Sequence, residues 1–182
     1  MNKINYVIGD ATHPVGDGIK FIAHCSNNIG AWGAGFVIAL SKRWGMPELI
    51  YRKFAEENPE ELKESLGKIQ TIPVEKDIIV VNIIGQEGIG FSNGNPPIRY
   101  DAIRKGFSQL NEDMKGYKNP SLHLPRIGAG LAGGDWQVIE KIILDEMTVS
   151  VTVYTLPNEA EKYGLGDDIQ KDIAVKSGIS AN

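Results

Sequence analysis

The segment Ala23-His24-Cys25-Ser26-Asn27-Asn28-Ile29-Gly30-Ala31-Trp32-Gly33-Ala34-Gly35-Phe36 leaves a β-rich run, passes three glycines in six residues and enters a helical pattern. Glycine lets a backbone approach a ligand closely, and a helix start offers unpaired N–H groups together with the positive end of the macrodipole. The chemistry on offer is anion binding by main chain. A tight connection without a ligand explains the same glycines. The segment matches neither the Walker pattern, since no Gly-Lys-Ser/Thr follows, nor the glycine spacing of the dinucleotide fingerprint. A second such bend is Pro125-Arg126-Ile127-Gly128-Ala129-Gly130-Leu131-Ala132-Gly133-Gly134-Asp135-Trp136, with four glycines in seven residues. Two anion-cradling loops in one domain suit a ligand with two phosphates. In Tyr6-Val7-Ile8-Gly9-Asp10-Ala11-Thr12 an acidic residue follows an apolar run. Asp10 there can accept a hydrogen bond from an exocyclic amine such as that of adenine, or it can close the strand as an Asx-turn.

The elements that must position these segments are read from periodicity. Strands are predicted at residues 4–8, 19–23, 69–74, 78–84, 122–124 and 149–156, and helices at 35–44, 47–66, 100–115 and 136–147. Their mostly alternating order predicts a layered α/β domain. Ile78-Ile79-Val80-Val81-Asn82-Ile83-Ile84 is apolar on both faces and is expected at the centre of the sheet. Both glycine bends should leave the carboxyl ends of strands, where open α/β sheets place their ligands. Residues 85–97 hold four Gly, two Asn and two Pro without periodicity, which predicts a functional rim loop. Beyond residue 156 the chain turns polar, with a short helix expected over 167–173.

A chain of 182 residues, 42% hydrophobic, fits one domain and buries on the order of 70% of its unfolded surface. Cys25 is the sole cysteine, so no internal disulfide forms, and no Cys/His cluster has zinc spacing. No metal or cofactor is expected. Against 23 Asp+Glu stand 19 Lys+Arg, a formal charge of -4, which argues against a surface devoted to a nucleic-acid backbone. No membrane-length apolar run and no secretory-type start is present, so a cytoplasmic location is expected. A monomer is expected because no heptad pattern stands out.

Together the three segments resemble the macrodomain family, and more narrowly the branch holding yeast-type ADP-ribose-1″-phosphate phosphatases, with the terminal ADP-ribose protein glycohydrolase in the same neighbourhood. The likeness covers residues 3 to about 156, leaving 157–182 as a polar extension. It implies a three-layer α/β/α fold with a mixed central sheet and ADP-ribose or a derivative as ligand. It implies that Asp10, between Gly9 and Ala11, holds the adenine amine and that Asn27 binds the distal ribose. Gly33, Ala34 and Gly35, flanked by Trp32 and Phe36, would form the first phosphate loop. Ile127, Gly128, Ala129, Gly130 and Leu131 would form the second, with Tyr154 and Asn158 on the adenine side. His24 and Asp135 are implied as a catalytic pair. The glycohydrolase branch uses a lysine where this sequence has Ile83-Ile84-Gly85-Gln86-Glu87, which disfavours that chemistry.

Histidine with its ordinary pKa near ~6.5 can protonate a leaving sugar oxygen. Asp135 can orient water or attack phosphorus, with loop amides carrying the transferring charge. Both residues also have structural readings, His24 as a core histidine and Asp135 as the N-cap of the helix at Trp136. Three functions follow: hydrolysis of ADP-ribose-1″-phosphate, non-catalytic reading of free or macromolecule-linked ADP-ribose, and release of ADP-ribose from protein, nucleic acid or an acyl group.

Overall fold

The computed structural model describes residues 3–165. The elements run β1 (Ile4–Ile8), β2 (Lys20–Asn27), α1 (Phe36–Arg43), α2 (Met46–Glu57), α3 (Pro59–Lys63), β3 (Ile69–Glu75), β4 (Ile78–Gln86), α4 (Tyr100–Met114), β5 (Ser121–Leu124), α5 (Trp136–Glu146) and β6 (Ser150–Thr155). One six-stranded sheet has the order β1-β6-β5-β2-β4-β3. Only β3 runs antiparallel, so the sheet is mixed as expected.

Helices cover both faces. On one, Phe107 and Leu110 of α4 and Ile139 and Ile143 of α5 pack on Phe21, Val81 and Val153. On the other, Leu40 of α1 and Tyr51 of α2 pack on Ile22, Val80 and Ile84. This is the three-layer α/β/α arrangement, and it explains why β4 is apolar throughout, with eight of its nine residues buried. Its position corrects the expectation from sequence. β4 is interior but lies next to edge strand β3, because two-sided helix cover, and not centrality, dictates its composition.

Residues 47–66, expected as one helix, divide into α2 and α3 at Asn58, whose φ of -136° and ψ of 55° leave the helical region. Proline disfavours helical geometry in the residue before it and is well placed at a first helical position, so Asn58-Pro59 both ends and restarts the helix. β2 runs four residues beyond the expected 19–23, which carries His24 into the body of the sheet. Past β6 the chain makes short 3-10 turns at Pro157–Glu159 and Glu161–Tyr163. The helix expected over 167–173 lies outside the described residues. Among the described residues no helix is long and apolar enough to cross a membrane.

The topology positions the site. β2 and β5 are parallel neighbours, so the two glycine bends, each following the carboxyl end of one of them, emerge side by side. β1 and β6 are also parallel and end at the same edge, bringing Asp10 and the 3-10 turns to that rim.

Candidate functional site

At this edge lies a cleft of about 440 Å³, within the ~300–1,000 Å³ typical of small-molecule sites. Gly9, Asp10 and Ala11 line it from β1, Ala34, Gly35 and Phe36 from the first bend, and Ile127, Gly128, Gly130 and Leu131 from the second. The bends face one another closely: a Cβ on Gly35 would lie 3.6 Å from Leu131 Cδ1.

Both bends leave backbone donors open. α1 begins at Phe36 with no side-chain cap and no acidic residue in its first turn. The N–H groups of Gly33, Ala34 and Gly35, and those of Gly128, Gly130 and Leu131, have no protein acceptor among the described residues. The second bend is held by Gly134 N–H donating to Gly128 O at 2.7 Å and Gly133 N–H to Gly130 O at 3.0 Å. Gly128 sits at φ 68°, where a Cβ would also approach Ile98 Cδ1 to 2.7 Å. Unpaired amides beside a helix start form an anion cradle, and here two of them share one cleft.

Asp10 forms the Asx-turn that its sequence position allows. Oδ1 accepts from Thr12 N–H and Thr12 Oγ1, each at 2.8 Å, closing an Asx-turn. Oδ2 lies 3.6 Å from His13 Nδ1, and the Asp10 side chain is 40% exposed. The Tyr154 ring lines the cleft beside Gly9, whose Cβ position is 3.4 Å from Tyr154 Cδ1.

Several expected site residues are placed elsewhere. Asn27 does not line the cleft; its Oδ1 accepts from Ile29 N–H, Ala31 N–H and Tyr51 OH, and its Nδ2 donates to Ala31 O at 2.7 Å. The side chain folds the bend and so is not aimed at a sugar. Trp32 and Gly33 turn to the far side of the bend, where the Trp32 indole packs on Tyr51 and donates to Ser41 Oγ at 2.9 Å. Ala129 and Asn158 do not line the cleft, whereas their neighbours Gly128, Gly130 and Glu159 do.

His24 and Asp135 are not brought to the cleft together. His24 borders it but is buried. Its Nε2–H donates to Asn82 Oδ1 at 2.5 Å, and Asn82 Nδ2 donates onward to Gln70 Oε1 at 3.2 Å. Burial lowers the His24 pKa to about 4, so the imidazole is neutral at pH 7 with its proton committed to β4. Asp135 is outside the lining and caps α5, with Oδ1 accepting from Gln137 N–H at 2.9 Å. The N-cap reading of its sequence position accounts for this geometry.

Cys25 lines the cleft floor, and burial pushes its thiol up to about 12. The thiolate is the reactive form. Alkylation by iodoacetamide near pH 8 is therefore expected to be slower in the native chain than in the unfolded chain by on the order of a thousandfold. A mass-spectrometric time course in which native Cys25 labels within minutes would overturn this.

No family model matches the chain. Among solved structures, one described as a macrodomain protein from Streptomyces coelicolor is 41% identical, covers 84% of this chain and 99% of that one, and superposes with a TM-score of 0.73. The chain is a macrodomain. A Bacteroides thetaiotaomicron protein of unknown function is similar at 48% identity and TM-score 0.79, covering 84% of this chain and 98% of that one. Chromodomain-helicase-DNA-binding protein 1-like from Mus musculus is 29% identical over 172 residues, 88% of this chain but 19% of that protein. The macrodomain thus spans about a fifth of that relative. An ADP-ribose 1″-phosphate phosphatase from Candida albicans is 23% identical over 162 residues, 84% of this chain and 99% of that one.

The macrodomain cleft also draws on residues that sequence reasoning passed over. Gln86 ends β4 at the cleft floor beside Cys25, and Leu156, Glu159 and Tyr163 bring the segment after β6 onto the rim. Arg126 lines the cleft as well. Its place in the second bend makes it, with Arg99, a candidate phosphate contact from sequence alone, and of the two Arg126 lines the cleft and Arg99 does not.

Proposed function

We propose that this macrodomain binds ADP-ribose or a close derivative in the cleft between its two glycine bends. The observation that carries the reading is that five residues whose amides have no acceptor among the described residues, Ala34 and Gly35 of the first bend and Gly128, Gly130 and Leu131 of the second, line one cavity. A pyrophosphate spans two such cradles, and the Asp10 carboxylate at one end complements an adenine amine. The cleft volume of about 440 Å³ suits a ligand of this size. Resemblance to a phosphatase named for an ADP-ribose derivative supports the same ligand class.

Calorimetric titration with ADP-ribose tests the reading, with saturable one-to-one binding expected. Failure to bind at millimolar concentration overturns it. Gly128→Val forces a branched side chain into a left-handed backbone and against Ile98, so affinity is expected to fall roughly tenfold or more. An unchanged affinity in a folded Gly128→Val protein would remove the second bend from the site.

Hydrolysis of ADP-ribose-1″-phosphate is the second reading, favoured by the likeness to the Candida phosphatase. The placement of its implied catalytic pair supports binding over turnover. His24 gives its proton to Asn82 and Asp135 its carboxylate to α5. Asp10 and Glu159 are the carboxylates of the lining among the described residues. Incubation with ADP-ribose-1″-phosphate is accordingly expected to release no phosphate above background. Release that disappears in His24→Ala or Asp135→Ala, with ADP-ribose affinity kept, would reinstate the phosphatase.

A further inference from the structure

The sequence contains five arginines. Four sit beside carboxylates: Arg43 with Glu75, Arg52 with Glu48, Arg99 with Glu87, and Arg104 with Asp145 and Glu146. Arg126 has no carboxylate within 4.0 Å among the described residues, and it is the arginine that lines the cleft. Among the described residues no lysine lines that cleft, and His24 is neutral, so Arg126 supplies the only formal positive charge that they bring to it.

The side chain is mounted for a ligand. Its guanidinium carbon lies 4.1 Å from the centre of the Tyr163 ring, 5.0 Å from that of Tyr6 and 5.4 Å from that of Trp136. Aromatic faces hold a cation in place without neutralising it. Nε is buried with no hydrogen-bond partner, and neither terminal nitrogen has one among the described residues. A guanidinium is a planar fork of five donors that matches phosphate oxygens. Here the fork is held by three rings and no described residue answers its charge. Tyr6 is on β1 and Tyr163 follows β6, so the mount belongs to the half of the cleft that holds Asp10. Glu159 shares that rim but lies beyond ion-pairing distance of Arg126.

We propose that Arg126 is a specificity-determining residue that binds a phosphate oxygen of the nucleotide ligand. The inference rests on the ADP-ribose reading and adds a side-chain cation to what the amides supply. Two sources present that chemistry: the pyrophosphate itself, and an ester phosphate on the ribose that carries the base.

The test titrates the full chain with ADP-ribose, ADP-ribose 2′-phosphate and adenosine. Arg126→Gln removes the charge, and Arg126→Lys keeps it without the planar fork; thermal melting verifies that each variant is folded. A charge-assisted phosphate contact predicts that Arg126→Gln weakens the phosphate-bearing ligand by roughly tenfold to a hundredfold. Adenosine binding is expected to stay within about twofold, and Arg126→Lys to recover part of the loss together with the salt dependence of affinity. A loss shared by ADP-ribose and its 2′-phosphate locates the contact at the pyrophosphate. A loss confined to the 2′-phosphate locates it at the nucleoside ribose. Equal losses for all three ligands, adenosine included, or no loss for any, overturn the proposal and make Arg126 a packing residue. A wild-type chain that binds no ADP-ribose overturns the parent reading, whereas ADP-ribose and ADP-ribose 2′-phosphate bound at full strength by Arg126→Gln overturn this one alone.

Discussion

Lowering the pH from about 6.5 to about 4 is expected to remove on the order of 3 kcal/mol of stability for each of two buried histidines. His24 and His123 are both 2% exposed. Burial is the first cause of lowered pKa in each, to about 4, with the Lys20 charge adding to the effect on His123. The hydrogen bonds fit neutral rings. Tyr154 OH accepts from Val15 N–H and donates to His123 Nδ1 at 2.8 Å, leaving His123 Nε2–H to donate to Ser121 Oγ at 2.8 Å.

The unfolded chain protonates each imidazole near its ordinary pKa of ~6.5, while the folded chain resists until about 4. Between those values the unfolded state binds more protons, so stability falls as pH falls and the contribution levels off near the folded pKa. Two such groups together approach about 6 kcal/mol, comparable to the whole stability of many domains. Urea midpoints across this range, with imidazole NMR titrations, provide the measurement. Stability that stays flat to about pH 4.5, or ring titrations centred near 6.5, would show that the histidines are solvated and not core groups.

Asn27→Ala is expected to cost about 3–4 kcal/mol and lower Tm by about 10 °C. Its amide accepts from two loop N–H groups and from Tyr51 OH and donates to Ala31 O. Truncation leaves the Ile29 and Ala31 amides without this acceptor and Ala31 O without this donor, whereas the buried Tyr51 hydroxyl keeps the Asn27 main-chain oxygen at 2.6 Å. The loss of several bonds that hold the first bend together, more than loss of any one of them, sets the magnitude. ADP-ribose affinity is expected to fall only as a consequence of a loosened first bend. Calorimetric unfolding separates the alternatives: an unchanged Tm with lost affinity would return Asn27 to the role of ligand contact.

The fold was legible because its signals are local. The apolar runs of β1 and β4, the glycine bends after β2 and β5, and the helical spacing of α4 and α5 each sit within a few residues of chain. Apart from Asp10 and Tyr154, which line the cleft as expected, the site was legible where it is backbone, since glycine spacing reports main-chain geometry directly. Side-chain roles depend on facing, which register decides. His24 meets Asn82, 58 residues away, only because β2 and β4 pair in that register. Asn27, at the end of β2, turns into its own loop. The mount of Arg126 needs Tyr6, Trp136 and Tyr163, three residues that nothing in the sequence draws together. Asp135 is the opposite case. Its cap position before α5 could be read directly, and that plain reading is the one its geometry follows.

The pairing of β1 with β6 has a consequence for how the chain reaches this state. Among the described residues β1 sits at the sheet edge with β6 as its strand neighbour, in register Ile4 to Val151. On a ribosome adding ~5–20 residues per second, β1 waits several seconds for its companion to emerge. Until then Asp10 and the Tyr6 mount have no fixed location relative to the bends. The rim of the cleft that β1 carries is thus the last part to assemble, and the cleft is whole only once β6 has been made.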